Sequence, residues 1–199
     1  MDEHLLIETH PLPPFTPANA KLLMLGSFPP PRARWKMEFY YPNFQNDMWR
    51  IFGLVFFGNK DYFVEAGGKT FKEKLLRAFL ADKGIAISDT AHKVIRLQGN
   101  ASDKFLQIVE PVDLQGLLAQ MPLCRTVMTT GELATDTLLS LMPPDTGKPQ
   151  IGGFAEAAFS DRHLRLYRLP SSSRAYPLAL EKKAEVYGRF FAEIGLLYS

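Results

Sequence analysis

The chain has 199 residues, of which 46% are hydrophobic and 22% are charged, and it carries 15 Phe. This composition is that of a packed globular chain of ordinary domain size, and it excludes a disordered or fibrous protein. The formal net charge is only +2, so a nucleic-acid partner has to meet a local basic patch and not a generally cationic surface. The lone Cys124 excludes an internal disulfide, a multi-thiolate zinc site and a cysteine-ligated iron–sulfur cluster.

The sequence carries no export or membrane signal. No stretch approaches the roughly 20 apolar residues of a membrane span, and the segment Met1–His4 lacks the basic start of a signal peptide. We therefore expect a soluble, cytoplasmic protein with a single domain over residues 1–199. Within it, residues 1–20 form a Pro-rich arm that is extended over Pro11–Pro17.

Gly and Pro divide the chain into segments with strand-like and helix-like patterns. Short apolar runs that end at small or polar residues predict buried strands, and apolar residues three and four apart predict amphipathic helices. In chain order we assign a strand at Lys21–Leu25, an apolar run at Met48–Phe57, a helix at Lys69–Ala81, strands at Gly84–Ser88, Thr126–Thr130 and His163–Leu169, and a helix from about Pro177 to Leu197.

Short apolar strands that alternate with helices predict an α/β fold, a three-layer α/β/α sandwich on a short, mainly parallel central sheet of about four strands. Ligands of such folds bind at the carboxyl ends of the strands. The loops expected to carry function are therefore Gly26–Pro31, Asp89–Arg96, Thr130–Glu132 and Leu169–Tyr176.

The first of these loops runs into a stretch, Arg32–Asn46, in which basic and aromatic residues interleave. Arg and Lys can hold phosphates while aromatic faces stack on bases. A tight turn followed by a loop that packs its aromatic side chains into the core explains the same residues. The composition does not decide between these alternatives.

The last loop combines Ser171, Ser172 and Ser173 with Arg174 shortly before the final helix. Backbone N–H groups at a helix N-terminus bind phosphate, and a Ser hydroxyl can add a donor. The alternative is structural: a Ser caps the helix and Pro177 occupies its first turn. Both interpretations remain open at this point.

Four segments stand in an order that is informative as a set: Gly26–Pro29, Tyr40–Arg50, Gly84–Asp89 and Leu169–Ser173. As a Gly-x-x-Pro turn, a Tyr-Tyr…Asn-containing segment, a second strand with an acidic residue and a Pro-Ser loop, they resemble the uracil-DNA glycosylase superfamily. The resemblance is closest to the branch of mismatch-specific uracil/thymine and hypoxanthine-DNA glycosylases. It implies hydrolysis of the N-glycosidic bond of a flipped-out deaminated base, uracil or hypoxanthine, in base-excision repair.

The resemblance also implies roles for individual residues. Many members carry Asn or Asp in the first motif where this chain has Phe28, and the Pro-Ser loop lacks the His of the uracil-specific branch. The hypoxanthine-acting branch relies instead on the Asn that corresponds to Asn46, so the implied catalytic residues are Asn46 and, beside it, Ser27. The implied base-binding pocket consists of Gly26, Phe28, Pro29, Tyr41, Phe44 and Asp89, and the implied DNA-binding loop of Pro170, Ser171, Ser172, Ser173 and Arg174.

Two further expectations concern chemistry and partners. No Lys lies in the two motif loops to form a Schiff base, so we expect a monofunctional glycosylase, acting as a monomer on damaged or mismatched DNA. His4, His10 and His163 have no metal-ligand spacing, and we expect neither a metal nor another cofactor.

Asp89 suits either the reading of a base edge or a structural role, as a helix cap or a fold-stabilising acid.

Two other function classes fit the same sequence. A non-catalytic DNA-binding protein of this fold is suggested by Phe28 in the first motif and by the missing His of the second. A hydrolase that acts on small nucleosides needs no DNA wedge, so its turnover is indifferent to Arg174. Salt-dependent DNA affinity separates the DNA-directed alternatives from the nucleoside hydrolase.

Overall fold

The structure is a computed structural model that describes residues 5–98 and 102–197, so the expectation drawn from Met1–His4 lies outside the described residues. Its strands are β1 (Ile7–Thr9), β2 (Leu22–Gly26), β3 (Ile85–Asp89), β4 (Ala91–Arg96), β5 (Leu106–Pro111), β6 (Thr126–Thr130), β7 (Phe154–Phe159) and β8 (Arg162–Leu169). Its α-helices are α1 (Met48–Phe57), α2 (Glu73–Lys83), α3 (Leu114–Ala119), α4 (Glu132–Ser140) and α5 (Leu180–Glu193).

The central sheet has the strand order β3-β2-β6-β8-β7. Its first four strands run parallel and coincide with the four predicted strands, whereas β7 pairs antiparallel with β8. The expected sheet of about four strands is thus corrected to a mixed sheet of five. Strand β7 carries no clear strand signal in the sequence, because Glu156 interrupts its apolar run and only Ala157 of this edge strand is buried.

Helices cover both faces of the central sheet, because successive side chains of a strand point to opposite faces. In β2, Leu22 and Met24 belong to a core cluster with side chains of α1, α2 and α5. Leu23 and Leu25 belong to a second cluster with side chains of α3 and α4. Burial of each such side chain contributes roughly 1.5–3 kcal/mol, which explains why the β2 run is apolar throughout.

A second, antiparallel sheet has the order β1-β4-β5 and is absent from the sequence prediction. The prediction of a loop at Asp89–Arg96 is wrong, since β4 begins at Ala91, only one residue after β3 ends. The N-terminal arm supplies β1, and further along Phe15 exchanges two backbone hydrogen bonds of 2.9 Å with Ile87. Through this pairing the arm covers the edge of the central sheet at β3, which would otherwise be open to pairing.

The final helix begins later than predicted. Ala179 is still extended, and α5 starts at Leu180 without a side-chain cap, so Pro177 lies before the helix. The capping interpretation is therefore wrong, because the hydroxyls of Ser171 and Ser173 accept hydrogen bonds within their own loop, from the backbone N–H groups of Ser173 and Ala175. In the described part of the chain, no helix is both long and apolar enough to cross a membrane.

Candidate active site

A cleft of about 610 Å³ lies at the carboxyl ends of β2, β3, β6 and β8. It brings together segments that are far apart in the sequence: the turn after β2, the loop before α1, the end of β3 and the loop after β8. Ten of the predicted site residues line it, namely Gly26, Ser27, Phe28, Pro29, Tyr41, Asn46, Asp89, Ser171, Ser172 and Ser173. Phe44, Pro170 and Arg174 do not line the cleft.

At Gly26, where β2 ends and the turn begins, a larger residue forces the neighbouring side chains to move. A Cβ on Gly26 would lie 2.6 Å from Asp89 Oδ1 and 2.9 Å from Tyr41 Oη. Further along the turn, Arg96 of β4 donates from Nη2 to the carbonyl oxygen of Pro29 at 2.6 Å, and its guanidinium lies 5.4 Å from the Phe28 ring. The second sheet therefore holds the backbone of this turn in place at the cleft.

Asp89 forms a buried pair with His10, which the sequence analysis does not identify. His10 Nε2 lies 2.7 Å from Asp89 Oδ2, and both side chains are less than 10% exposed. The imidazole also packs edge-on against Phe28, with 5.2 Å between ring centroids. Asp89 ends a strand and precedes β4, so it is not a helix cap; one carboxylate oxygen is fixed by the N-terminal arm and the other faces Gly26.

Tyr41 adds a neutral phenol to the same corner of the cleft. Its backbone adopts a left-handed φ of 52°, which is unusual for a bulky residue. Such a conformation persists where the surrounding structure holds the backbone in place. The hydroxyl lies 3.1 Å from Thr130 Oγ1 at the end of β6. Burial, and secondarily the negative charge of Asp89, raise the pKa of Tyr41 well above its ordinary value, so the phenol stays protonated and can donate.

Asn46 lies where the loop enters α1. Its Oδ1 accepts a hydrogen bond from the backbone N–H of Met48 at 2.9 Å, an Asx-type turn that satisfies one N–H at the start of the helix. Since the oxygen is fixed in this way, the amide N–H groups are the donors that Asn46 can present to the cleft. The helix start thus orients the side chain that the resemblance singles out.

The Pro-Ser loop is bound to the start of α1 by both backbone and side chains. The N–H of Asp47 donates to the carbonyl of Ser172 at 3.0 Å. The Asp47 carboxylate, which is buried, accepts from Arg174 Nε at 3.1 Å and from Lys183 Nζ at 3.2 Å. This arrangement places Ser171 to Ser173 against the cleft. Because the loop is not the N-terminus of a helix, the alternative that it binds phosphate through the N–H groups of a helix start is excluded.

Phe44 packs away from the cleft, contrary to its predicted place in the base pocket. Its ring centroid lies 5.4 Å from that of Phe71, and the Arg50 guanidinium lies 4.5 Å from the Phe44 ring. Arg50 also donates from Nη1 to the Phe44 carbonyl at 2.7 Å. The contact explains why Phe44 does not line the cleft, because the buried Arg50 is stabilised by the aromatic face and the carbonyl of Phe44.

A second carboxylate in the cleft, Asp103, also has no counterpart in the sequence analysis. Ser27 Oγ donates to Asp103 Oδ1 at 2.6 Å. Asp103 begins a short 3-10 turn directly before β5, in a stretch without apolar periodicity or a recognisable motif. Burial raises its pKa, and the negative charge of Asp89 raises it further, while the bond from Ser27 lowers it.

A search of solved structures finds a protein with a similar fold. No protein-family model matches the chain, and no curated protein matches it either. Among solved structures, it is similar to an NMR structure of a protein from Methanosarcina acetivorans that is provisionally named a uracil DNA glycosylase, with a TM-score of 0.62 and 22% sequence identity. The match covers 94% of this chain and 99% of the other, so the two share one fold over nearly their whole length.

Proposed function

We propose that the protein is a DNA glycosylase of the uracil-DNA glycosylase superfamily, from the branch that acts on mismatched uracil or thymine and on hypoxanthine. It hydrolyses the N-glycosidic bond of a flipped-out deaminated base, uracil or hypoxanthine. The observation that carries the proposal is the convergence of Gly26–Pro29, Asn46 and Ser171–Ser173 on one cleft. The fold shared with a protein provisionally named a uracil DNA glycosylase supports it.

The cleft matches the demands of the reaction. Breaking the base–sugar bond produces a cation-like sugar and an anionic leaving base, so donors must be aimed at the base and water must be held near the sugar. The amide of Asn46 and the backbone N–H groups of the Gly26–Phe28 turn supply donors, and Phe28 supplies an apolar face. Asp89, held by His10, accepts hydrogen bonds from ring N–H groups of a base.

The rim of the cleft fits DNA and a monofunctional mechanism. Arg34 is exposed beside the cleft, and Arg174 is half exposed although its Nε is bound to Asp47; both guanidiniums can reach phosphates. Lys183 donates to the Ser173 carbonyl of the Pro-Ser loop at 2.8 Å. It is almost fully buried and bound to Asp47, so it is not placed to form a Schiff base with a sugar.

The test is cleavage of labelled duplex and single-stranded oligonucleotides that carry one uracil, hypoxanthine, xanthine or thymine mismatch, read after alkali. We expect excision of uracil or hypoxanthine by the wild-type protein. Absence of excision together with salt-dependent DNA binding would instead establish a non-catalytic DNA-binding protein. Turnover of free nucleosides that is unchanged in Arg174→Ala would establish a small-molecule hydrolase.

Gly26→Ala is expected to reduce excision at least about tenfold, because the new Cβ displaces Asp89 and Tyr41 and small misplacements of site groups are costly. The clash is with side-chain ends, so the free energy of unfolding falls by only about 1–3 kcal/mol. Excision and urea unfolding are measured on the same preparation. Gly147→Ala is the matched control, since a Cβ there meets open space; equal excision by the two variants would contradict the role of this close approach.

A further inference from the structure

The hydrogen bond between Ser27 and Asp103 joins two parts of the chain at the cleft. Ser27 is about nine-tenths buried, and the bond of 2.6 Å is of the short kind typical of a hydroxyl that donates to a carboxylate. The second carboxylate oxygen, Oδ2, lies 4.0 Å from the position of a Cβ on Gly131, which is itself 3.6 Å from Ser171 Cβ. Asp103 therefore lies between the turn after β2 and the Pro-Ser loop.

The proposed reaction needs a group that takes a proton from water, and the turn after β2 does not supply one. Phe28 has no polar atom, and the amide of Asn46 can orient a water but cannot accept its proton at ordinary pH. Asp89 has one oxygen fixed by His10 at 2.7 Å and the other against Gly26. Among the described residues that line the cleft, Asp103 is the other carboxylate.

We propose that Asp103 is the general base of the glycosylase, held in position by Ser27; the inference rests on the proposed function. The Asp103 carboxylate takes a proton from the attacking water, and the water oxygen forms a bond to C1′ of the deoxyribose. The C1′–N bond breaks, and its electron pair leaves with the base as an anion that is protonated from solvent. The carboxylic acid then returns its proton to solvent, so that no other reactant is consumed.

The surroundings of Asp103 suit this role. A general base works best with a pKa near the working pH, and burial together with the charge of Asp89 raises the pKa of Asp103 toward it. The titratable and charged side chains that line the cleft with Asp103 are Arg34, Tyr40, Tyr41, Asp89 and Tyr176, and His10 binds Asp89 from outside this lining. Burial raises the pKa values of Tyr40 and Tyr41, so both phenols stay protonated. Ser27 acts in the opposite direction, because its donated hydrogen bond stabilises the charged carboxylate and lowers the pKa.

Ser27 and Asp89 shift the pKa of Asp103 in opposite directions. If Asp103 is the general base, these shifts appear in the pH dependence of excision, whereas a purely structural aspartate would not produce them. The excision rate is expected to rise with pH as Asp103 loses its proton. Ser27→Ala removes a bond to the charged form, so the pKa of Asp103 rises and the inflection of the rate moves to higher pH. Asp89→Asn removes a neighbouring negative charge, so the inflection moves to lower pH.

The experiment measures single-turnover excision against pH on the oligonucleotide that the wild-type protein cleaves. Asp103→Asn is expected to lower the rate at pH 7 about 100-fold and to flatten its acid limb, with DNA affinity and unfolding midpoint retained. The matched control is Asp161→Asn, which makes the same carboxylate-to-amide change at an exposed residue. Asp161 lies in the turn between β7 and β8, at the opposite end of the sheet.

The outcomes separate the inference from the proposed function. Excision by the wild-type protein with an unchanged rate or an unchanged pH profile in folded Asp103→Asn overturns the general base and leaves the glycosylase intact. An inflection that stays in place in both Ser27→Ala and Asp89→Asn overturns it as well. No excision by the wild-type protein on any substrate overturns both the proposed function and the inference.

Discussion

Asn46→Ala is expected to lower the single-turnover excision rate by about 100- to 1000-fold while the protein still binds DNA. Removal of one preorganised donor from a site where charge develops has effects of this size. The substitution also removes the acceptor for the Met48 N–H, and loss of this hydrogen bond costs about 1 kcal/mol of folding free energy. The measurement pairs excision of the preferred base with urea unfolding and with DNA affinity.

Asn46→Asp separates the two roles of this side chain. The carboxylate keeps an oxygen for the Met48 N–H and so restores the turn before α1, since Asp and Asn side chains both form such turns. It lacks the amide donors, so excision stays low although stability returns. Wild-type excision in Asn46→Ala would show that the amide is not part of the chemistry, whereas a rate that merely tracks the unfolding free energy would assign Asn46 to the fold alone.

The parts of the fold that the sequence predicts are those with local causes. The strands β2 and β3 are buried at every position and β6 at all but its first, because helices cover both faces of the central sheet. In β8 the signal is the set of buried apolar residues Leu164, Leu166, Tyr167 and Leu169. The second sheet has no such signal: in β4 only Ala91 and Val94, three positions apart, are buried, and β4 follows β3 after one residue. A scan for buried runs cannot separate such a strand from a loop.

The candidate site divides in the same way. Motif positions such as Gly26 and Asn46 are recognisable because they stand beside buried strands or a helix start. His10 and Asp103 are tied to the site by contacts with Asp89 and Ser27, which lie 79 and 76 positions away. Local sequence patterns do not encode such contacts. Phe44 does not line the base pocket because the buried Arg50 binds its ring and its carbonyl. The composition of the loop does not show this contact.

Asp47 lies in the segment Tyr40–Arg50 and connects it to the Pro-Ser loop. It follows Asn46 directly, and its backbone N–H donates to Ser172 of the Pro-Ser loop. Its carboxylate is the shared acceptor for Arg174 and Lys183. The relative position of Asn46 and the Pro-Ser loop therefore depends on one buried anion.

Asp47→Ala is expected to lower the free energy of unfolding by about 3–5 kcal/mol, the cost of leaving a buried charge without its partner. Lys183 is 1% exposed, and after the substitution its ammonium keeps only the Ser173 carbonyl, at 2.8 Å. Urea unfolding measures the loss. Asp161→Ala, an exposed acidic residue, is the control and is expected to change stability by no more than about 0.5 kcal/mol.

The double variant Asp47→Ala with Lys183→Met decides whether the uncompensated cation is the cause. An unbranched apolar side chain in place of the lysine removes the buried charge, so the double variant is expected to be more stable than Asp47→Ala alone, and the cycle gives a coupling free energy of about 1–3 kcal/mol. Additive losses would place the effect of Asp47 in its contacts to the Pro-Ser loop. In that case Arg174→Ala should reproduce most of it, because Arg174 is the remaining side chain that the Asp47 carboxylate binds.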